Sequence, residues 1–446
     1  MSRLDDAPDS TAAARAPEDP AWLGRLRAAF PAEGFFAEKE WLLSPEPFRL
    51  SKAEAAELSR LGHRLARFVR ACHEIYRRSA KGTAPGWVAD YLDAGKPRWL
   101  IEAARSPALA GAFPQVIRPD LILGENGFSI TELDSVPGGI GLTAWLNQTY
   151  ADMGFDVIGG AGGMHDGFQS LLPSGGDILV SEESAGYRPE MAWLARQLGG
   201  IDVLPAENYA PRGRDAYRFF ELFDLGNIPG AKALVEAAAA GEIRLTAPPK
   251  PYLEEKMWSA LFWMHPLRDL WAAGLRGSHL ARLRDAFPYS WIIDPAPVPR
   301  HAEIPRLGIQ DWRELGAMSK TERELVLKIS GFSETAWGSR SVSVGHDLPA
   351  PDWAAAVDDA IAAFPDHPFV LQEFRPARVV EHPYWDAEAK QVRTMQARVR
   401  LCPYFFADPA LAKTNLGGVL ATICPADKKI LHGMKDAILV PCMVEA

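Results

Sequence analysis

Between Val116 and Asp134 apolar and charged residues alternate with a period of two, which predicts two strands, VIRPDLIL and FSITELD, joined by Gly124-Glu125-Asn126-Gly127. Arg118 and Asp120 then share one face of the first strand, and Glu132 and Asp134 one face of the second. Turn chemistry decides whether these faces coincide. A three-residue loop Glu125-Asn126-Gly127, with Gly127 left-handed, sets Asp120 opposite Glu132 and Arg118 opposite Asp134, so that all four point the same way. A two-residue Asn126-Gly127 turn instead sets Asp120 opposite Leu133 and scatters the carboxylates.

The same reading along the chain gives the other elements. Ser51-Lys52-Ala53-Glu54 is a capping box, and Leu58, Leu61, Leu65, Phe68, Val69, Cys72, Ile75 and Tyr76 follow at helical spacing. The stripe predicts a helix of about seven turns. Trp87, Tyr91 and Leu92 suggest a second helix, so residues 21–110 read as a helical region capping a sheet that begins near Val116, with residues 1–20 a frayed tail. Strand Asp177–Val180, helix Pro189–Leu198 and strand Ile201–Leu204 predict a small parallel α/β subdomain over 175–246. Ala247-Pro248-Pro249-Lys250-Pro251 reads as a linker, and Tyr252–Trp271 as an aromatic helical stretch. Residues 247–446 complete the chain with strand Leu325–Ile329, helix Trp353–Phe364, strand Phe369–Phe374 and strand Val392–Leu401. The expected class is α/β, with α+β character.

Composition excludes more than it assigns. Of 446 residues, 48% are hydrophobic and 24% charged, the profile of a globular chain rather than a disordered one. Asp plus Glu, 57, exceed Lys plus Arg, 48, for a net charge of −9, which argues against nucleic acid as a partner. No apolar run approaches the roughly 18 residues that span a bilayer, and no leader pattern opens the chain, so no membrane partner and a cytoplasmic location are expected. The four cysteines form no CxxC pair and read as buried thiols.

Candidate chemistry concentrates in two stretches. Asp120, Glu132 and Asp134 on one face repel unless a cation sits among them, and Mg²⁺ suits oxygen ligands supplemented by substrate phosphates. The alternative is a solvated strand face carrying an Arg118–Asp134 pair. Pro137-Gly138-Gly139 follows, a Gly-rich turn before a helix whose N-terminus can receive an anion. In the second stretch Lys328 is a lone cation in an apolar strand, ahead of a loop of glycines and hydroxyls, Gly331, Ser333, Gly338 and Ser339, whose backbone amides can close on phosphate oxygens. The loop is not a Walker A motif. Arg398 and Arg400 share a strand face, available either for triphosphate charge or for surface ion pairs. Glu183, Tyr187 and Arg188 lie in the loop after the 177–180 strand, where ligands of parallel sheets collect, or where a solvated loop would lie. Val157–Gly163 lacks the context of a dinucleotide cradle and reads as a flexible or tight loop.

Arg118-x-Asp120 with Glu132-x-Asp134 and the Pro/Gly loop resembles the metal-binding segment of circularly permuted ATP-grasp ligases, the group that includes the synthetase domain of glutathionylspermidine synthetase. That group usually shows Glu-x-Asn and a Thr-Pro-Thr-like turn where this chain has Asp134 and Ser135-Val136-Pro137. The resemblance extends over about 110–440. It implies ATP and Mg²⁺ as cofactors, with Asp120, Glu132 and Asp134 as metal ligands and Lys328 with its loop on the phosphates. It further implies a hinge strand in which Gln372 and Glu373 hold the nucleotide base and ribose largely through backbone groups, and Arg118 facing a nascent acyl phosphate. The implied reaction joins a small carboxylate to an amine of amino-acid, peptide or polyamine type. The alternative is an ATP-binding scaffold or regulatory protein of the same fold without turnover.

Overall fold

The Ser51 hydroxyl accepts the Glu54 amide at 3.2 Å, and the Glu54 carboxylate takes the Ser51 amide at 2.9 Å, so the capping box starts the long helix where its sequence says it should. The computed structural model describes residues 21–31, 40–336, 341–433 and 435–445, and the predicted tail lies outside them. In chain order the elements are α1 (Ala21–Ala29), β1 (Phe48–Leu50), α2 (Lys52–Ala80), α3 (Trp87–Asp93), α4 (Arg98–Ala104), β2 (Val116–Gly124), β3 (Gly127–Asp134) and α5 (Ile140–Asp152). There follow α6 (Gly163–Gln169), β4 (Gly176–Val180), α7 (Arg188–Leu198), β5 (Ile201–Pro205), β6 (Ala216–Phe219) and β7 (Leu245–Thr246). The last part holds β8 (Ser290–Ile292), β9 (Leu325–Ile329), β10 (Ser343–Val344), a helix over Ala350–Ala362, β11 (Phe369–Glu373), β12 (Val380–Asp386), β13 (Gln391–Ala407), β14 (Thr414–Pro425) and β15 (Ile438–Val444).

These strands form three sheets in a mixed α/β fold. The largest runs β1-β15-β14-β13-β2-β3, with β12 also on β13; every neighbour is antiparallel except the β1–β15 pair. One face packs on the helices: Leu121, Leu123, Ile130, Val399 and Leu401 share a core with Leu61, Leu65 and Phe68 of α2. At Gly62 that helix lies so close to the sheet that a Cβ would stand 2.4 Å from the Phe405 ring. The other face carries the charges. The second sheet, β10-β9-β11-β8, is antiparallel along its length, and the third, β5-β4-β6-β7, is parallel as the strand–helix–strand pattern of residues 177–204 implies.

The hairpin reaches its expected pairing by an unexpected route. Gly124 pairs with Gly127, so the turn holds only Glu125 and Asn126, which neither turn considered from sequence allows. A β-bulge between Asp120 and Leu121 then absorbs Thr131 on the opposite strand, and beyond it Asp120 faces Glu132 and Arg118 faces Asp134. Bulging also reverses the alternation on β3: Ile130 points into the core while Glu132 and Asp134 point away from it.

Two further expectations are corrected. Residues 247–251 are no loose linker. The segment is buried, with Lys250 donating to the Ala112 carbonyl at 2.6 Å, and burial pushes that lysine down to about 7. The Tyr252–Trp271 stretch is a chain of short pieces, helical at Pro251–Leu253, Trp258–Leu261 and His265–Leu267 and then entering a helix over Arg268–Leu275, rather than one helix. Extended backbone at Met264 before the His265-Pro266 step interrupts it, while Trp258, Leu261, Phe262 and Trp271 are buried as their apolarity demands. The Gly-rich Val157–Gly163 run is a tight loop, since a Cβ at Gly159 would lie 2.0 Å from the Gly417 carbonyl.

Candidate functional site

The charged face of the large sheet and the cavity-facing side of β9 and β11 enclose a cavity of about 960 Å³. Arg118, Asp120, Glu132, Asp134, Arg398, Arg400, Lys328 and Gln372 line it, so the two stretches singled out in the sequence meet there although about 200 residues separate them. Sheet register explains the arrangement. Arg400 sits beside Ile122 on one side and Thr422 on the other, and one row further along Cys402 donates its thiol to Asp120 at 3.5 Å.

Each carboxylate on this face has a cation beside it. Arg118 reaches Asp120 and Asp134, both at 3.0 Å, and its other nitrogen donates to the Gly138 carbonyl at 3.4 Å. Arg400 takes the second oxygen of Asp120 at 3.0 Å. Lys256 reaches Glu132 at 3.0 Å and donates to the Ala336 carbonyl at 3.0 Å. Burial works against the Asp120 charge, but Arg118 and Arg400 more than offset it and hold this carboxyl below its ordinary range. Asp134 goes the other way: burial raises it, and the pull of Arg118 does not overcome burial and the neighbouring Glu132 together. Glu221, which lines the same cavity, is pushed well up by burial and by Asp134 and Glu254.

Lys328 bridges the two walls. Its ammonium donates to the Thr131 carbonyl, the bulged residue, at 3.1 Å and to the Gln372 side chain at 3.0 Å. Burial pushes it down to about 8.

Of the other residues singled out in the sequence, Gly331, Gln372, Glu373 and Arg398 line the cavity, and the geometry gives several of them partners within the protein. The Gly331 amide is spent on Glu255 at 3.0 Å, and a Cβ there would lie 2.2 Å from the Glu254 carbonyl, so this glycine serves close packing. Ser333 contacts Thr335 at 3.2 Å; Gly338 and Ser339 lie outside the described residues. Strand β11, the expected hinge, runs between β9 and β8, and the Glu373 amide donates to the Tyr289 carbonyl at 2.9 Å, so Gln372 presents its side chain rather than free backbone. Glu373 is engaged by Arg306 at 2.7 Å and Arg375 at 3.1 Å. Arg398 lines the cavity and donates to the Lys428 carbonyl at 3.3 Å. Gly138, Gly139 and Tyr187 line the cavity; Pro137, Glu183 and Arg188 do not, because Pro137 is buried, Glu183 is exposed, and Arg188 turns back to Val180 at 3.4 Å.

The helix N-terminus proposed to receive an anion already holds one. Glu190 of α7, 2% exposed, accepts the Gly139 amide at 2.8 Å and the Leu142 amide at 3.0 Å. Sequence pattern gave no sign of it, since α7 is distant in the chain. Nor did it give a role to Lys256, although the lysine's position just past the Pro-rich segment was visible.

Among the described residues no group of three or more His, Cys, Asp or Glu side chains is placed to hold a metal ion, and no helix is long and apolar enough to cross a membrane. The donor set therefore does not fit a cage made by protein alone. What the lining offers a cation is one or two carboxylate oxygens, from Glu132 and a neighbouring aspartate, each paired here with a lysine or arginine of the protein.

No family model matches the chain, and no curated protein matches it. Among solved structures, the chain is similar to a glutathione synthetase-like effector from Globodera pallida in its apo form, with a TM-score of 0.49 and 12% identity over 96% of this chain and 99% of that one. It is also similar to a provisionally assigned gamma-glutamylcysteine synthetase from Methylobacillus flagellatus KT, with a TM-score of 0.38 and 11% identity over 88% and 87% of the two chains.

Proposed function

We propose that this protein is an ATP- and Mg²⁺-dependent ligase of circularly permuted ATP-grasp type, joining a small carboxylate to an amine through an acyl phosphate. One observation carries the reading: the Arg118, Asp120, Glu132 and Asp134 face lies across one cavity from Lys328, with Lys256 at its edge. Phosphoryl transfer needs positioned cations and metal-ligating oxygens more than a nucleophile, and the arginines, lysines and carboxylates that line the cavity support that reading. Bound magnesium would neutralise phosphate charge, held by Glu132 with Asp134 or Asp120. Lys328 and Lys256 would grip the phosphates, and Arg118 would orient the acyl phosphate from between its two aspartates. The acceptor amine would approach past Gly138, Tyr187 and Glu221, a stretch of wall that offers an aromatic face and a carboxyl whose proton is held by burial.

A second reading, nucleotide binding without turnover, draws on the double pairing of Asp120 with Arg118 and Arg400, which leaves that carboxylate committed. Thermal unfolding with ATP, with and without Mg²⁺, separates these readings from an empty fold. Ligand at about a hundred times its dissociation constant adds roughly 2.7 kcal/mol of apparent stability. A Mg²⁺-dependent shift that Glu132→Ala abolishes is the expected result; no shift in any condition would overturn both nucleotide readings. ADP release over a panel of amino acids, short peptides and polyamines then divides ligase from scaffold.

A further inference from the structure

The three residues Glu254, Glu255 and Lys256 each reach a different part of the molecule. Glu254 pairs with the fully buried Arg218 of β6, in the parallel sheet. Lys256 pairs with Glu132 of the hairpin. Glu255 points elsewhere, to Lys96 in the turn between α3 and α4, and both side chains of that ion pair are only 1% exposed.

The free side of Glu255 is not free. Its Oε2 accepts the Ser330 hydroxyl and, at 3.0 Å, the Gly331 amide, the first two residues beyond β9. Ser330 Oγ in turn accepts the Met257 amide at 3.3 Å. Lys96 touches the third residue of the same loop, its ammonium 5.5 Å from the centre of the Phe332 ring. The turn that carries Lys96 is itself wedged in place: a Cβ at Gly95, where φ is +69°, would lie 1.9 Å from the Asp366 carbonyl, just ahead of β11.

A fully desolvated ion pair is a poor way to gain stability, because apolar residues of like volume hold a core as well or better. What a carboxylate adds here, and an apolar side chain does not, is directed acceptance of two donors from one loop root. We infer that Glu255 and Lys96 are positioning residues that fix the root of the 330–336 loop against the 254–257 segment and the turn between α3 and α4, and so set the geometry in which that loop meets a nucleotide. The nucleotide part of this inference rests on the ligase reading; the positioning part does not.

The test uses the full chain with Lys96→Met/Glu255→Leu, which replaces the pair by apolar residues of similar size, together with Ser330→Ala, which removes both bonds of that hydroxyl and leaves the ion pair in place. Melting temperature, hydrogen exchange at amides 331–336 without ligand, and MgATP affinity by calorimetry are read in parallel. A positioning role gives near wild-type melting, faster exchange in the loop, and MgATP affinity weakened about ten-fold or more by the displaced loop. Ser330→Ala shifts the same two readouts in the same direction, and the single variant Lys96→Arg, which keeps the charge, leaves both near their wild-type values. A folded double variant with unchanged exchange overturns the inference, as does unchanged exchange in Ser330→Ala should the double variant not fold. Faster exchange in a protein whose wild type binds no MgATP would uphold the positioning and overturn the nucleotide reading, so the two failures look different.

Discussion

Arg118 holds two aspartates with one guanidinium nitrogen, and removing it leaves Asp134 with no cation within 4 Å among the described residues while Asp120 keeps Arg400. Breaking such a largely buried pair from one side leaves an uncompensated charge. Arg118→Ala is expected to cost about 2–3 kcal/mol in chemical denaturation, and to abolish any ADP release while Glu132 and Lys328 remain. Lys328 makes a different prediction. With its pKa pushed down to about 8, it loses its charge as pH rises through that value, well before an ordinary lysine would. A bound triphosphate favours the protonated form, so MgATP affinity should be flat below pH 8 and fall above it, by up to about ten-fold per pH unit. For the ligand-free protein the sign is opposite. The buried ammonium disfavours the folded state below its folded pKa, and stability recovers as pH rises from about 8 toward the ordinary lysine value. Lys328→Met should remove the pH dependence of binding; calorimetry between pH 7 and pH 9 checks it.

At the scale of elements, patterning identified the hairpin, the capped α2, β9, β11 and the β4–α7–β5 unit because each carries its own periodicity in a local window. What it missed is non-local. Nothing within Val116–Asp134 announces that Thr131 will be absorbed into a bulge; that follows from the need to bury Ile130 on one side and keep Glu132 on the other. The bulge rather than the turn therefore sets which charges face the cavity. Gly127→Ala, at φ +116°, should cost about 1–2 kcal/mol through backbone strain yet leave nucleotide affinity within about two-fold. A large loss of affinity with little loss of stability would instead put the register under control of the turn. Glu190 teaches the same lesson, since an anion-binding helix end looks the same in sequence whether the anion comes from a ligand or from another helix of the chain.

At the scale of the molecule, the gathering of residues near 120, 132, 328 and 400 around one cavity was expected only through the order of motifs and a family resemblance. Spacing alone cannot bring β9 against the hairpin. The charges that tie the parts together, Glu254, Glu255 and Lys96, were invisible because isolated charged residues read as solvent-facing until their partners are known. The pairing of each cavity-facing carboxylate of the hairpin, Asp120, Glu132 and Asp134, with a cation of the protein itself carries a kinetic consequence. An open basic groove draws an anion in from a distance and loses its grip as salt rises. Here incoming phosphate and metal must trade partners with bonds already made, so long-range attraction contributes little, and the chain's net charge of −9 if anything slows approach. The association rate for MgATP should therefore be well below the diffusion limit and vary by less than roughly three-fold between low salt and the ionic strength at which the screening length falls to about 3 Å, a dependence that stopped-flow measurement across a salt series reads directly.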